Sequence, residues 1–212
     1  MSEVRIASAS NGIVTNARVY DIEESLIASG YPMRTETWDL DYCSSGETDL
    51  RRVHRLSKLA TDTANSAHEQ CLSGILVAFD LTLSNKAWIE AERYRFLTFV
   101  SSESTMHRIA KFDIDEQCNE HVDQRLIDIL HEKVAAYEAC EDGNKKAELY
   151  LDVLYNIPSG FRLTARMTTN YRCLKNIYRQ RKTHRLPEWK MFCAWIETLP
   201  YAKELLLTED PV

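Results

Sequence analysis

A chain of 212 residues, 44% of them hydrophobic, suits one compact domain or two small ones sharing a core. Its 26 basic and 32 acidic residues leave a net charge of -6, which argues against a general nucleic-acid binder and makes the placement of the minority charge the informative feature. No apolar segment follows Met1-Ser2-Glu3-Val4-Arg5 and no run is long enough to span a bilayer, so a cytoplasmic protein without a membrane partner is expected. The six cysteines (Cys43, Cys71, Cys118, Cys140, Cys173 and Cys193) form no C-x-x-C pair; reduced, mostly buried thiols are expected, with neither a zinc site nor a disulfide framework.

No repeat, low-complexity tract or Pro/Gly-rich linker interrupts the chain, and loops are read only at Cys43–Glu47 and Glu141–Asn144. A helix is expected over Asp49–Ala64. From Ile75 to Leu83 the apolar residues alternate, which predicts a strand with one face on a core. Ser84 or Asn85 then caps a helix carrying Ala87, Trp88 and Ala91 and running through Arg95. Ser101 to Arg108 reads as a hydroxyl-rich turn with a basic exit. Leu126, Ile127, Leu130, Val134 and Tyr137 predict an amphipathic helix over Asp123–Cys140, and another runs from Lys145 to Tyr155, ending before Pro158. A second strand covers Phe161–Thr169, with Phe161, Leu163, Ala165 and Met167 on one face and Arg162, Thr164, Arg166 and Thr168 on the other. A helix follows directly from Asn170 to about Arg185, and the last starts at Pro187, a favoured first helical position. The whole reads as α+β: a helix-rich single domain over residues 1–212 with a small antiparallel sheet and two strand-to-helix units.

Phosphate-loop, dinucleotide and nucleophile-elbow motifs are absent, and the six histidines do not cluster, so no metal site is expected. Charge against the grain of the chain is found from Asn170 to Lys190, where Arg172, Lys175, Arg179, Arg181, Lys182, Arg185 and Lys190 face a single acid, Glu188. This field starts at a helix N-terminus, where unpaired N–H groups already favour an anion. Arg172 and Asn176 are four residues apart and share a face, with Arg179 a turn further along. The pattern fits an anion-handling surface of a nucleotide-binding protein; on composition alone it fits a solvated basic face equally well. Arg93-Tyr94-Arg95 is a second, weaker cluster: two guanidinium groups flank a ring, a combination able to grip phosphate and stack a base.

Taken together, these residues resemble the flavin-dependent thymidylate synthases. Arg93-Tyr94-Arg95 stands where that family has Arg-His-Arg, and His68 lies 25 residues upstream, at the family's histidine spacing. Asn170-x-Arg172-x-x-x-Asn176-x-x-x-x-Arg181 reproduces the spacing of its Asn, Arg, Asn and active-site Arg, and Pro158 falls at its Leu-Pro. The resemblance covers about residues 59–199, leaving 1–50 as an N-terminal segment. Departures are Tyr94 for histidine, Gln70 for threonine, Leu154 for arginine, and one extra residue between Arg95 and Ser104.

The resemblance implies an FAD cofactor held by His68, Arg93, Tyr94, Arg95, Asn170, Arg172 and Asn176. It also implies a dUMP substrate held by Glu90, Ser104, Arg108 and Arg181, with Arg181 as the catalytic group that favours ionisation of the pyrimidine. Methylenetetrahydrofolate as carbon donor, NADPH as reductant and a homotetramer are implied too, with no stable nucleic-acid partner. The alternatives are hydroxymethylation or another flavin-dependent change to a different pyrimidine nucleotide, and a non-catalytic module binding nucleotide or nucleic acid through the basic helix. On this reading Arg181→Ala abolishes turnover at little cost in stability.

Overall fold

The computed structural model describes residues 3–6, 12–33, 51, 53–55, 57–58 and 67–207. In chain order its strands are β1 (Glu3–Ile6), β2 (Val14–Tyr20), β3 (Leu76–Ser84), β4 (Thr98–Ser102) and β5 (Arg162–Asn170). The helices are α1 (Ile22–Ala28), α2 (Asn85–Ala91), α3 (Thr105–Arg108), α4 (Ile114–Gln117), α5 (Gln124–Ala139), α6 (Gly143–Tyr155), α7 (Tyr171–Arg181), α8 (Pro187–Ile196) and α9 (Ala202–Leu205). A 3-10 turn, Ala67–Ser73, leads into β3. None of the described helices is long and apolar enough to cross a membrane.

The strands form one sheet in the order β1-β2-β3-β5-β4. β1 and β2 are antiparallel, Glu3 opposite Tyr20 and Ile6 opposite Ala17. β3 and β5 are antiparallel as well. At one end the Tyr171 N–H donates to the Ile75 carbonyl (3.0 Å), and at the other the Asn85 N–H donates to the Phe161 carbonyl (2.9 Å), so residue numbers rise on one strand as they fall on the other. Both strands carry the alternation read from their sequences: Val77, Phe79, Leu81 and Leu83 are buried on β3, Ala165 and Met167 on β5.

The chain divides into two compact units, one comprising Met1–Asp80, Tyr94–Thr98 and Met167–Val212, the other Leu81–Arg93 and Phe99–Arg166. The core of the first is aromatic. Phe79 meets Phe192 at 5.7 Å and Trp195 at 4.7 Å between ring centres, while Phe192 stacks on Trp195 at 5.2 Å. Each such pair contributes roughly 0.5–1.5 kcal/mol beyond the area it buries. The second unit packs Ile127, Leu130 and Val134 of α5 and Val153 of α6 around Ile109, Ile114, Cys118 and Phe161.

Capping explains where the helices start. The Ser84 hydroxyl accepts from the Ala87 N–H (3.3 Å), Asp123 Oδ1 from the Arg125 N–H (2.9 Å), and Asp142 Oδ1 from the N–H groups of Asn144 and Lys145. Each cap satisfies donors that the first turn cannot pair internally. Because Asp142 caps α6, the expected loop at Glu141–Asn144 is shorter than read: Gly143 and Asn144 are already helical.

Other boundaries also differ from expectation. α2 stops at Ala91 rather than reaching Arg95, and α7 stops at Arg181 rather than about Arg185. The Ser101–Arg108 turn is the end of β4 followed by the single turn of α3. Leu126, expected on the inner face of its helix, is 48% exposed. β1, β2 and β4, with α1, α3, α4 and α9, are elements that sequence patterning did not find. Residues 51, 53–55 and 57–58 are helical, inside the expected Asp49–Ala64 helix, the rest of which lies outside the described residues, as do Cys43–Glu47. Cys71, Cys118, Cys140, Cys173 and Cys193 are free thiols. Burial pushes Cys71, Cys118 and Cys173 up and takes Cys193 to about 12, which keeps these thiols protonated and unreactive.

Candidate functional site

The basic helix is built in the first unit by the step from β5 into α7. Asn170 is still extended (φ -135°, ψ 167°), and its Oδ1 accepts from the Cys173 N–H at 2.9 Å. The cap therefore occupies the side-chain oxygen, leaving the Nδ2 group as the end of Asn170 that can face a ligand. Tyr171, Leu174 and Ile177 anchor the inner face, and the buried Tyr171 hydroxyl donates to the Pro200 carbonyl at 2.8 Å. Arg172, Asn176 and Gln180 follow one another at four-residue intervals along another face. Gln180 Nε2 donates to Asn176 Oδ1 at 3.0 Å, so this row is linked side chain to side chain.

Beside the start of α7 lies the turn Ala67–Ser73. It contains His68, whose side chain is outside the described residues. Its neighbour Glu69 makes two ion pairs with α7: Oε2 to Lys175 Nζ at 2.9 Å and Oε1 to Arg172 Nε at 3.5 Å. Arg172 Nη1 also donates to Gln70 Oε1. Only 6% of the Lys175 side chain and 11% of that of Glu69 are exposed, against 35% for Arg172. Lys175 consequently leaves the anion-handling surface assigned to it from sequence: its charge is consumed by Glu69 inside the protein. Arg172 stays partly open, its guanidinium oriented by Glu69 and Gln70.

Arg181, the last residue of α7, is 9% exposed and lies at the centre of a polar cluster in an aromatic surround. Its Nε–H donates to the Tyr94 hydroxyl (2.7 Å), which in turn donates to Gln180 Oε1 (2.9 Å); Arg181 Nη1 is 2.9 Å from His184 Nε2. The guanidinium carbon is 4.7 Å from the centre of the Trp189 ring and 5.5 Å from that of Tyr94, both within cation–π range. Tyr94 and Trp189 meet edge to face at 5.9 Å. Burial pushes the Tyr94 phenol up, only partly offset by the hydrogen bond from Arg181, so it stays a neutral donor and acceptor. Asn176, Gln180, Tyr94 and Arg181 thus form one continuous hydrogen-bonded chain, with His184 in contact with its Arg181 end.

The Arg-Tyr-Arg triplet follows the end of α2 in irregular backbone. Tyr94 is buried, while Arg95 is exposed with its guanidinium 5.7 Å from the Phe96 ring centre. Beyond Arg181, Lys182 and Arg185 are exposed, in keeping with ordinary solvated charge.

The second unit carries Glu90, Arg93, Ser104 and Arg108. Glu90 is buried near the end of α2, its Oε1 2.9 Å from Lys86 Nζ one turn earlier. Ser104 stands before α3 with its carbonyl accepting from the Arg108 N–H at 3.0 Å, and Arg93 and Arg108 are exposed. Arg162, read as a polar-face residue of its strand, closes the C-terminus of α4. Its Nη2 donates to the Glu116 carbonyl (2.7 Å) and its Nε to that of Gln117 (3.4 Å).

Sequence reading missed Glu69, Lys175 as an internal ion, Gln180, His184 and the role of Trp189. Gln180 and His184 had a local signal, the first four residues from Asn176 and the second three from Arg181.

No protein-family model and no curated protein matches the sequence. Solved structures do match in fold. A thymidylate synthase X (ThyX) of Helicobacter pylori, with FAD and dUMP, superposes with a TM-score of 0.62 at 16% identity, covering 89% of this chain and 94% of its own. A second structure, of the flavin-dependent ThyX of Helicobacter pylori complexed with FAD and dUMP, gives 0.60 at 14% identity, covering 98% of both chains. The UMP/dUMP methylase PolB of Streptomyces cacaoi, bound with 5-Br dUMP, gives 0.60 at 14% identity, covering 91% of this chain and 92% of its own. The fold is therefore ThyX-like over most of the chain, as the sequence resemblance led one to expect.

Proposed function

We propose that this chain is a flavin-dependent enzyme that transfers a one-carbon unit from methylenetetrahydrofolate to C5 of dUMP. The observation that carries the proposal is the step from β5 into α7 in a ThyX-like fold, where Asn170 caps the helix and Arg172, Asn176 and Arg181 lie along it, at the spacing of the family that the sequence resembles. FAD and dUMP are bound by the Helicobacter pylori structures of that fold.

The donor set suits a dinucleotide with an anionic linker. Arg95 is exposed with no carboxylate partner among the described residues, Arg172 is partly open and already oriented, and Asn170 and Asn176 offer amide groups for the polar edge of a ring. These residues, with His68 and Arg93, are the candidates for holding FAD, which when bound supplies the hydride chemistry with NADPH as the reductant. Glu90, Ser104 and Arg108 are the candidates for gripping dUMP.

In this reading Arg181 faces the pyrimidine. Its charge sits among aromatic rings, where low polarity strengthens its field, and it stabilises the negative charge that develops on the ring. Charge delocalised toward C5 makes that carbon the nucleophile. The new C5–C bond replaces the C5–H bond and its proton leaves, the methylene–nitrogen bonds of the folate break to release tetrahydrofolate, and a hydride originating in the reductant would complete the methyl group. A homotetramer belongs to the same reading.

The test is product identification. Protein supplied with FAD, NADPH and methylenetetrahydrofolate is incubated separately with dUMP, UMP and dCMP, and the nucleotides are analysed by mass spectrometry. Methylated dUMP is expected; a hydroxymethyl product, or reaction of another nucleotide alone, would move the assignment to that chemistry. No product from any of the three would overturn it. PolB, a UMP/dUMP methylase sharing this fold, is the reason UMP is included.

A further inference from the structure

Arg181 meets, through hydrogen bonds and ring contacts, side chains from separated stretches of the chain, and those neighbours suggest how its geometry is set. Its Nε–H is directed at the Tyr94 hydroxyl at 2.7 Å, across 87 positions of sequence, and one face lies 4.7 Å from the centre of the fully buried Trp189 ring. A guanidinium is a flat fork, so one directed N–H bond and one ring contact fix both its rotation and its tilt. Tyr94 is itself pinned: its hydroxyl donates to Gln180, which donates to Asn176, and its ring edge meets Trp189.

We propose that Tyr94 and Trp189 are positioning residues that act on the substrate through Arg181, Tyr94 by its hydroxyl and Trp189 by its ring. Tyr94 thereby takes a nucleotide-side role in place of the flavin contact implied by the resemblance. This rests on the proposed activity, since it needs Arg181 to meet a pyrimidine. Tyr94 is buried, with its hydroxyl and ring both engaged inside the unit, so its loss reaches a ligand through the side chains it holds, Arg181 first among them.

Tyr94→Phe keeps the ring and removes the directed bond; Trp189→Phe keeps an aromatic face and Trp189→Leu removes it. For each, the dissociation constants of FAD (by its absorption) and of dUMP (by calorimetry on the FAD-loaded protein) are measured beside the midpoint of thermal unfolding. Tyr94→Phe and Trp189→Leu are expected to weaken dUMP roughly 10- to 100-fold, the order expected for misplacing a charged hydrogen-bonding group, with FAD affinity within about twofold of the parent. Trp189→Phe is expected to restore most of the loss. A merely structural role would weaken both ligands in step with the melting temperature and show no recovery in Trp189→Phe, and that pattern overturns the inference, as does unchanged dUMP affinity in Tyr94→Phe. If the unsubstituted protein binds neither FAD nor dUMP, the proposed activity fails and the inference falls with it; if it binds both and the variants behave as structural ones, the inference fails alone.

Discussion

Replacing Glu69 by leucine is expected to destabilise the protein by about 3–5 kcal/mol, because it removes the carboxylate that is paired with the enclosed Lys175 ammonium. The pair is 2.9 Å apart, with 6% and 11% of the two side chains exposed, so water cannot take over the lost partner. For a chain of this size the melting temperature falls by roughly 2–4 °C per kcal/mol, giving a loss of about 6–20 °C. Removing both charges has a different outcome. Glu69→Leu with Lys175→Met leaves no ion without a partner, and such replacements of buried pairs are often neutral or stabilising by about 1–4 kcal/mol. Arg172 then loses one partner, but at 35% exposure its guanidinium remains hydrated. Denaturation of the three proteins decides the matter: a single variant as stable as the parent would show that Lys175 is not the enclosed cation described above.

Arg181 is the site of the second large effect. Arg181→Lys retains a positive charge but cannot reproduce a fork that meets Tyr94 and His184 at once, and roughly 10²- to 10³-fold of turnover is expected to disappear, the usual consequence of removing one donor from a preorganised electrostatic site. Arg181→Ala is expected to cost about 2–4 kcal/mol of stability in addition, since it removes two ring contacts and leaves the buried Tyr94 hydroxyl without its donor. The sequence alone led to an expectation of little cost in stability, and the 9% exposure of Arg181 raises that expectation. Turnover is measured with saturating FAD, and full activity in Arg181→Lys would sink the assignment.

What the sequence made legible is local. β3 and β5 show because alternation survives along their whole length, and α2, α5, α7 and α8 show because Ser84, Asp123, Asn170 and Pro187 mark their starts. β2 was hidden by a single residue. Asn16 takes a positive φ of 49°, and the buried set slips from Val14 to Ala17 and then Val19, which breaks the period of two. β4 was hidden for the opposite reason: as the outer strand of the sheet it is exposed at every position and has no buried face to alternate with. α1 and α9 begin at Asp21 and Tyr201 in left-handed backbone, with no side-chain cap to announce them.

The site divides along the same line. Helical periodicity placed Arg172 and Asn176 on one face of a helix, while Asn170 and Arg181 joined them through the spacing of the family that the sequence resembles. Glu69 reaches Lys175 across 106 residues and Tyr94 reaches Arg181 across 87, separations over which a local pattern carries no information. That is why a uniformly basic helix in sequence becomes, in the folded chain, one internal ion pair at Lys175, one oriented guanidinium at Arg172 and one enclosed guanidinium at Arg181.

The visible absorption spectrum of the purified full chain, before and after addition of FAD and then of dUMP, tests the central claim most directly. A bound-flavin spectrum that persists through gel filtration and changes in shape when dUMP is added is expected. Protein that stays colourless after FAD titration, or a flavin spectrum that dUMP leaves untouched at any concentration, would contradict it.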